Sequence, residues 1–398
     1  MWNVRHRLLT LGLSAVAIAA AAQPAAAQSM TDVLSFLLTN RSIPTGDFIR
    51  DDQAAAATRD AISAFLLAEL GTLPASSSSS GFTYRLDPTL GVSVRSSDSF
   101  GPIFTERSLT SGAGQVSIGL SFQYSDFYAI DGRNLRDDTL VATASALRAS
   151  PEVLDVFDLE TLTMRLSSST VTLQGNAGLT DRLDVGLALP MITLRLGGER
   201  VDAYRGVRTT QASASGSSSG LGDAIVRAKY NAIRRGAGGF AIGAEARLPS
   251  GSRQNLRGTG DLTITPRAIA SLENARAGVH GTFGYVFRGA SKEFDYSAAG
   301  TYAVTPQLTL VGEAVGRHLA SIGRLTYVTT AHPRLADVET VRLTSTDQAT
   351  TRVVAMAGLR WNLVSTWLLS VSVLRPLTDA GLNGRWTPTI TLDRSWDY

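Results

Sequence analysis

Cysteine is absent from all 398 residues, which rules out disulfides and thiolate metal sites and leaves hydrogen bonding and packing to hold the fold. Lysine is almost absent too, with Lys229 and Lys292 the only two. Positive charge therefore rests on arginine, which stays ionised at any accessible pH and suits fixed charge in a water-filled lumen; a base-composition bias of the genome accounts for the same excess. Of the four histidines only His280, His318 and His332 follow the leader, and no G-x-S-x-G elbow occurs, so the usual hydrolase apparatus is not assembled in the sequence. Long apolar runs are missing after the leader. Nothing there approaches the roughly 18 consecutive apolar residues of a transmembrane helix, and insertion into a membrane must be by a closed barrel.

An excess of either charge is lacking as well. Taking Arg5 and Arg7 from the 37 basic residues leaves 35 against 34 acidic ones. A balanced chain has no electrostatic footprint for nucleic acid, and no nucleic-acid partner is expected.

What is present begins with a leader. Arg5, His6 and Arg7 form a positive n-region, Leu8 to Ala22 an apolar stretch, and Ala25-Ala26-Ala27 a small-residue cleavage site. This pattern specifies export and removal of residues 1–27, with the mature chain starting at Gln28.

From residue 113 onward apolar side chains recur at every second position. Val116, Ile118, Leu120, Phe122 and Tyr124 alternate with Gln115, Ser117, Gly119, Ser121 and Gln123. Successive side chains of a strand point to opposite faces, so this alternation describes a sheet apolar on one face and polar on the other. Segments of this kind, cut by turn signals, predict an all-β fold: an antiparallel transmembrane β-barrel of about 12 strands. The expected strands are 113–128, 157–177, 183–199, 220–232, 240–250, 260–272, 276–288, 293–304, 307–319, 350–362, 366–377 and 385–398. Tight turns near residues 178–182, 232–239, 273–275, 305–306 and 363–365 alternate with long connections at 129–156, 200–219 and 320–349. Short turns face the periplasm in such barrels and long loops face outward.

Aromatic placement is consistent with that orientation, because Trp and Tyr gather at both membrane interfaces. Tyr230, Trp361, Trp367, Trp396 and Tyr398 fall at the periplasmic strand ends, and Tyr285 and Trp386 at the external ends. Arg394 interrupts the lipid-facing row of the last strand and is expected to snorkel to the rim. Two strands change phase: even Leu162, Met164 and Leu166 give way to odd Val171 and Leu173, and odd Val185, Leu187 and Leu189 give way to even Ile192, Leu194 and Leu196 after Pro190. A β-bulge in each strand is the expected cause.

Residues 28–110 follow another pattern. Ile62, Phe65, Leu66, Leu70 and Leu73 lie at helical spacing behind Asp51 and Asp52, with Gly71 and Pro74 as stops. A shorter apolar run, Val33 to Leu38, follows the N-cap candidate Thr31. Ser76 to Ser80 form a linker, and Phe82 to Leu86 with Leu90 to Val94 suggest a hairpin about Asp87-Pro88. Apolar helix faces need a partner, so this short helical N-terminal segment is expected to act as a plug or a periplasmic appendage. The domain plan is a signal peptide at 1–27, the helical segment and linker at 28–110, and the barrel at 111–398.

Three runs carry a resemblance to a known group: Gly175-Asn-Ala-Gly-Leu-Thr-Asp-Arg-Leu-Asp-Val-Gly-Leu-Ala-Leu-Pro190, Ser219-Gly-Leu-Gly-Asp-Ala-Ile-Val-Arg-Ala-Lys-Tyr230, and Arg247-Leu-Pro-Ser-Gly251. Over about residues 170–398 the chain resembles the outer-membrane family named for the meta-pathway of phenol degradation. The resemblance implies a β-barrel and suggests transport of small, hydrophobic or aromatic compounds. The long N-terminal segment departs from the family pattern.

With the apolar row facing lipid, the opposite row faces the lumen. It contains Asp223, Arg227, Lys229, Glu245, Arg247, Arg267, His280, Arg288, Glu313, Arg317, Arg352 and Arg360. These charges set an anion-favouring path, or they form a neutralising cross-strand ladder such as Lys229 or Arg227 against Glu245; the ladder is the reading preferred. Gly220-Leu-Gly-Asp223 and Gly258-Thr-Gly-Asp261 begin no strand-turn-helix unit and are read as hairpin chemistry at the external rim rather than a nucleotide site.

The expected function is an outer-membrane channel or facilitator for small organic compounds. Its expected partners are outer-membrane lipid, the barrel-assembly machinery and a small solute. No cofactor, metal or catalytic residue is expected. The alternatives are a closed barrel that binds partners through its loops, and a rim-bound hydrolase built on His318.

Overall fold

The structure is a computed structural model that describes residues 29–39, 47–71, 77–78, 81–82, 84–86, 93–95, 98–150, 153–235, 238–287 and 293–397. The leader, the Asp87-Pro88 turn, Leu73, Pro74, Arg288 and Tyr398 lie outside the described residues.

Among the described residues two helices come first, α1 (Met30–Leu38) and α2 (Phe48–Gly71). The N-cap of α1 is Ser29 rather than Thr31. Its hydroxyl accepts from the Asp32 backbone and the Asp32 carboxylate accepts in return from the Ser29 amide, a reciprocal capping pair. A small hairpin pairs β1 (Tyr84–Leu86) with β2 (Ser93–Arg95).

The remaining strands are β3 (Gln115–Ile130), β4 (Arg133–Asn134), β5 (Val141–Ser150), β6 (Val153–Gly178), β7 (Leu183–Tyr204), β8 (Val207–Leu221), β9 (Ala224–Arg235), β10 (Gly238–Leu248), β11 (Thr263–Glu273), β12 (Ala277–Val286), β13 (Glu293–Thr305), β14 (Leu308–Ala331), β15 (Val338–Val364), β16 (Trp367–Pro376), β17 (Leu382–Gly384) and β18 (Thr387–Asp397). Twelve of them close a barrel of antiparallel neighbours. Its order is β3-β6-β7-β9-β10-β11-β12-β13-β14-β15-β16-β18, with β18 returning to β3 from Thr389↔Gln123 to Asp397↔Gln115. Closure leaves no edge to pair with water, which a membrane interior requires.

The period-2 pattern becomes two surfaces. On β3 the side chains of Ile118, Leu120, Phe122 and Tyr124 are exposed, while Gln115, Ser117, Ser121 and Gln123 are buried. Exposed Val171, Leu187, Val226, Ile242, Ile264, Val279, Leu310, Val371 and Ile390 continue the outer row around the barrel. Arg394 stacks over the Trp367 ring, 5.2 Å from its centroid, at the rim formed by the tight turns.

Neither expected bulge occurs. β6 and β7 pair without interruption from Asp158↔Tyr204 to Gly178↔Asp184. The apolar residues change side because a second apolar surface lies inside. Leu162, Met164, Leu166, Ile192, Leu194 and Leu196 face inward and pack with Met30, Val33, Leu34 and Leu37 of α1 and Ile62, Phe65 and Leu66 of α2 in one buried cluster. Gly198 and Gly216 keep the wall flat where α1 rests: a Cβ on either would stand 2.8 Å from Leu37 Cδ1 and 3.0 Å from Val33 Cγ2 respectively.

The long connections are also strands over much of their length. β7 and β8 stay paired to Tyr204↔Val207, and β14 and β15 to Ala331↔Glu339. β5 bridges the outer parts of β6 and β15. Ser213, Ser215 and Ser217 alternate with Ala212, Ala214 and Gly216; that rhythm is a strand's, although its polarity resembles a loop's. The sheet thus rises beyond the barrel on one side and supports both helices. Arg200 pairs with Glu160 at 2.6 Å and donates to Leu37 O, and Arg342 pairs with Asp51 at 2.6 Å.

Candidate functional site

The lumen is the one space that all twelve strands border, and much of it is taken by the chain's own N-terminal part. Residues 99–111 cross its periplasmic half from the β14–β15 side to the β7–β9 side. Thr309 Oγ1 accepts from Phe100 N at 3.0 Å. Arg360 donates to Gly101 O and Pro102 O at 3.0 and 2.8 Å. Glu313 accepts from three consecutive amides, Ile103, Phe104 and Thr105, at 2.5, 3.1 and 2.6 Å, and from the Thr105 hydroxyl.

Arg107 forms a buried ion pair with Glu273. Lys229 donates to Leu109 O at 3.0 Å, Asn231 to Ser108 O at 2.6 Å, and Asp184 accepts from Ser111 N at 2.9 Å. Ile103 and Phe104 pack on Val311, Met356 and Leu374, and Phe82 meets Phe100 edge-on at 5.2 Å. A backbone inside a membrane protein must have its polar groups satisfied, and inward side chains of the wall supply that here.

Above this layer a cavity of about 580 Å³ remains on the β9–β14 side. Phe104 and Glu106 form its floor; Ser63, Ala64, Leu67 and Ala68 of α2 form one side; Arg227, Glu245, Arg247, Arg267, Asp295 and Arg317 line the wall. It reaches the external connections at Arg253 and Asp261, whose side chains are mostly exposed. The wall charges are interleaved. Glu245 meets Arg227 and Arg247 at 2.9 Å each and Arg267 at 3.5 Å; Arg267 meets Asp295 at 2.7 Å; Arg317 pairs with Glu293. Register explains the spacing, because Arg267 lies opposite Gly243 and Gly284, so no side chain separates it from Glu245 or Asp295.

Glu106 belongs to the inserted segment. Burial alone raises its pKa, but Lys229, Arg227 and the hydrogen bonds from Ser78 outweigh burial and hold its carboxyl below the usual glutamate value.

The expected lumen residues therefore occupy three settings. Arg227, Glu245, Arg247, Arg267 and Arg317 border the cavity. Lys229, Glu313 and Arg360 grip the inserted segment, as Arg352 grips α2 through Glu69; His280 is buried against Ser271 beneath it. Asp223 does something else. It accepts from Gly251 N and from the amide and hydroxyl of Thr259, tying the connection after β10 back onto β9. Among the aromatics, Tyr230, Trp361, Trp386 and Trp396 are exposed and Tyr285 and Trp367 half-buried.

Sequence reasoning missed Glu106 and Arg107, which lie before the first barrel strand, and the acidic partners Asp184, Glu273, Glu293 and Asp295. The last four stand at inward parity on their strands, a signal that was available. His318 is outward-facing, with its Nδ1 2.9 Å from Thr351 Oγ1. Among the described residues no group of three or more His, Asp or Glu side chains is placed to hold a metal ion, and no helix is long and apolar enough to cross a membrane.

A family model described as "Putative MetA-pathway of phenol degradation" matches residues 150–322. This is the family the chain resembles. No curated protein matches. Among solved structures, the COG4313 outer membrane channel from Pseudomonas putida F1 is 13% identical, with 73% of this chain and 98% of that chain covered and a TM-score of 0.48. The translocator domain of autotransporter NalP from Neisseria meningitidis is 10% identical, with coverage of 72% and 89% and a TM-score of 0.35.

Proposed function

We propose that the protein is an outer-membrane channel that admits small, largely apolar or aromatic compounds from the external side and is constricted by its own N-terminal segment. The observation that carries this is the cavity of about 580 Å³ between α2 and the charged wall, open toward the external connections and floored by Phe104 and Glu106. Its volume lies in the range of small-molecule sites, and it combines an apolar side with convergent polar groups. The family match over residues 150–322 supports the same class of cargo. The resident charge is paired rather than free, so the wall tolerates a neutral solute without a net field.

In this reading residues 1–27 are an export signal removed before assembly, the barrel-assembly machinery inserts the mature chain, and the protein catalyses no reaction. Passage requires residues 99–111 to shift. Single-channel recording in planar bilayers tests this with the full mature chain beside Glu313→Ala/Arg360→Gln, which removes the main wall contacts of residues 101–105. Small or absent steps in the first and larger steps in the second are expected. Silence from both, with barrel integrity verified by heat-modifiable gel mobility, would favour a closed barrel acting through its external strands.

A further inference from the structure

On the outer surface, the external ends of three neighbouring strands, β16, β18 and β3, share a change of character at one height. Reading outward from the periplasmic end, the lipid-facing row runs Leu369, Val371, Val373 and then Arg375 on β16. On β18 it runs Leu392, Ile390, Pro388 and ends beside Trp386; on β3 it runs Phe122, Tyr124, Asp126, Tyr128. Arg375 lies over the Trp386 ring at 5.1 Å and Arg385 over the Tyr128 ring at 5.6 Å. Both arginines are exposed, and neither has a carboxylate within ion-pair distance among the described residues. Asp126, the acidic neighbour, is taken by Arg136.

Stacking on a ring face holds a guanidinium in place through its π surface and leaves its in-plane N–H donors unused. Two such groups, each held on a ring at the external ends of neighbouring strands where the hydrocarbon belt ends, offer preorganised donors to phosphate oxygens. The external leaflet presents phosphate at that depth on its lipids. We propose that Arg375 and Arg385, on the Trp386 and Tyr128 shelf, form a specific binding site for the phosphorylated headgroup of an outer-leaflet glycolipid, whose acyl chains lie along Val371, Val373 and Ile390. The site is independent of what passes through the lumen and rests only on the orientation of the barrel.

Native mass spectrometry of the full mature protein, with bis-phosphorylated lipid A as the probe and the same lipid stripped of phosphate as its control, tests the assignment. Wild-type protein is expected to retain the phosphorylated lipid preferentially. Arg375→Gln/Arg385→Gln is expected to lower that affinity by about tenfold or more, as loss of charge-assisted hydrogen bonds implies. Arg375→Lys/Arg385→Lys, which keeps the charge and loses the planar fork, should fall between, and Arg394→Gln at the opposite rim should behave as wild type. Heat-modifiable gel mobility checks that each variant is folded. Equal retention of the stripped lipid by wild type, unchanged binding in the double Gln variant, or displacement of the lipid by inorganic phosphate alone would each overturn the proposal.

Discussion

Leu166 and Leu173 are seven positions apart on the same strand and serve two different apolar phases. Leu166 packs against the helices inside, and Leu173 faces lipid outside. Leu166→Ala should leave a protein-lined void and cost about 2–5 kcal/mol. Leu173→Ala should cost well below that, because lipid fills the space. Urea unfolding in lipid checks the pair, and equal losses would mean the inner cluster does not contribute. The same logic separates Ile264, which is exposed, from Thr263, which borders the cavity. Arg at Ile264, which stands at the external end of β11 with its carbonyl accepting from Phe287 N, should cost about 1 kcal/mol, and Arg at Thr263 less still. At this scale the sequence was legible wherever lipid was the only apolar phase. It misled at Leu162 to Leu166 and Ile192 to Leu196, because alternation reports which faces are apolar and not what covers them; the helices that cover these residues lie far earlier in the chain, at Met30–Leu38 and Phe48–Gly71.

Among the elements, the inserted segment is held by contacts of very different kinds, and they should respond differently to perturbation. Glu313 serves three successive amides, so Glu313→Ala strands buried donors at a cost on the order of 3 kcal/mol and should make residues 99–111 accessible to protease in folded protein. Glu106 gives this hold an acid-sensitive component. Its carboxyl is held below the ordinary glutamate value, so its contribution is complete above about pH 4.3 and is lost as pH falls through the lower, folded-state value. Conductance of the wild type should therefore rise on acidification below about pH 4, and Glu106→Gln should remove that component; an identical acid response in the variant would assign it to another group. The helical spacing of Ile62, Phe65, Leu66 and Leu70 was visible in sequence, as was a hairpin of residues 82–86 with 90–94, which the structure pairs as 84–86 with 93–95. Their position was not, since an amphipathic helix announces that it needs a partner without saying which one. The strand extensions were hidden for the opposite reason: Ser, Thr and Ala resemble a loop in composition although their alternation is that of a sheet.

At the level of the whole molecule the wall charges behave as one network. Replacing Arg267, Arg317 and Arg352 by Gln removes counter-charge from Glu245, Asp295, Glu293 and Glu69. The reversal potential in a salt gradient is expected to shift toward cation preference, and an unchanged potential would place the conducting path elsewhere. The twelve strands and their tight turns could be read directly, because a closed sheet in lipid leaves little freedom in period or connection. The cavity could not, since its shape is set by what the barrel contains.

The direction in which the chain fills the barrel has a consequence for its biogenesis. Thr31 N donates to Gln254 O in an external connection, whereas Gly114 N donates to Gly178 O at the periplasmic rim. The described parts of the chain between them thus run from one mouth of the ring to the other, like a cord drawn through a sleeve. A sleeve already sewn shut would have to be threaded by a folded helix; one still open along the β3–β18 seam can simply be wrapped around it. If the β3–β18 seam closes as the final stitch, a tag placed at residue 29 should become reactive on intact cells only once that stitch is made, and a tag reactive before closure would rule that order out.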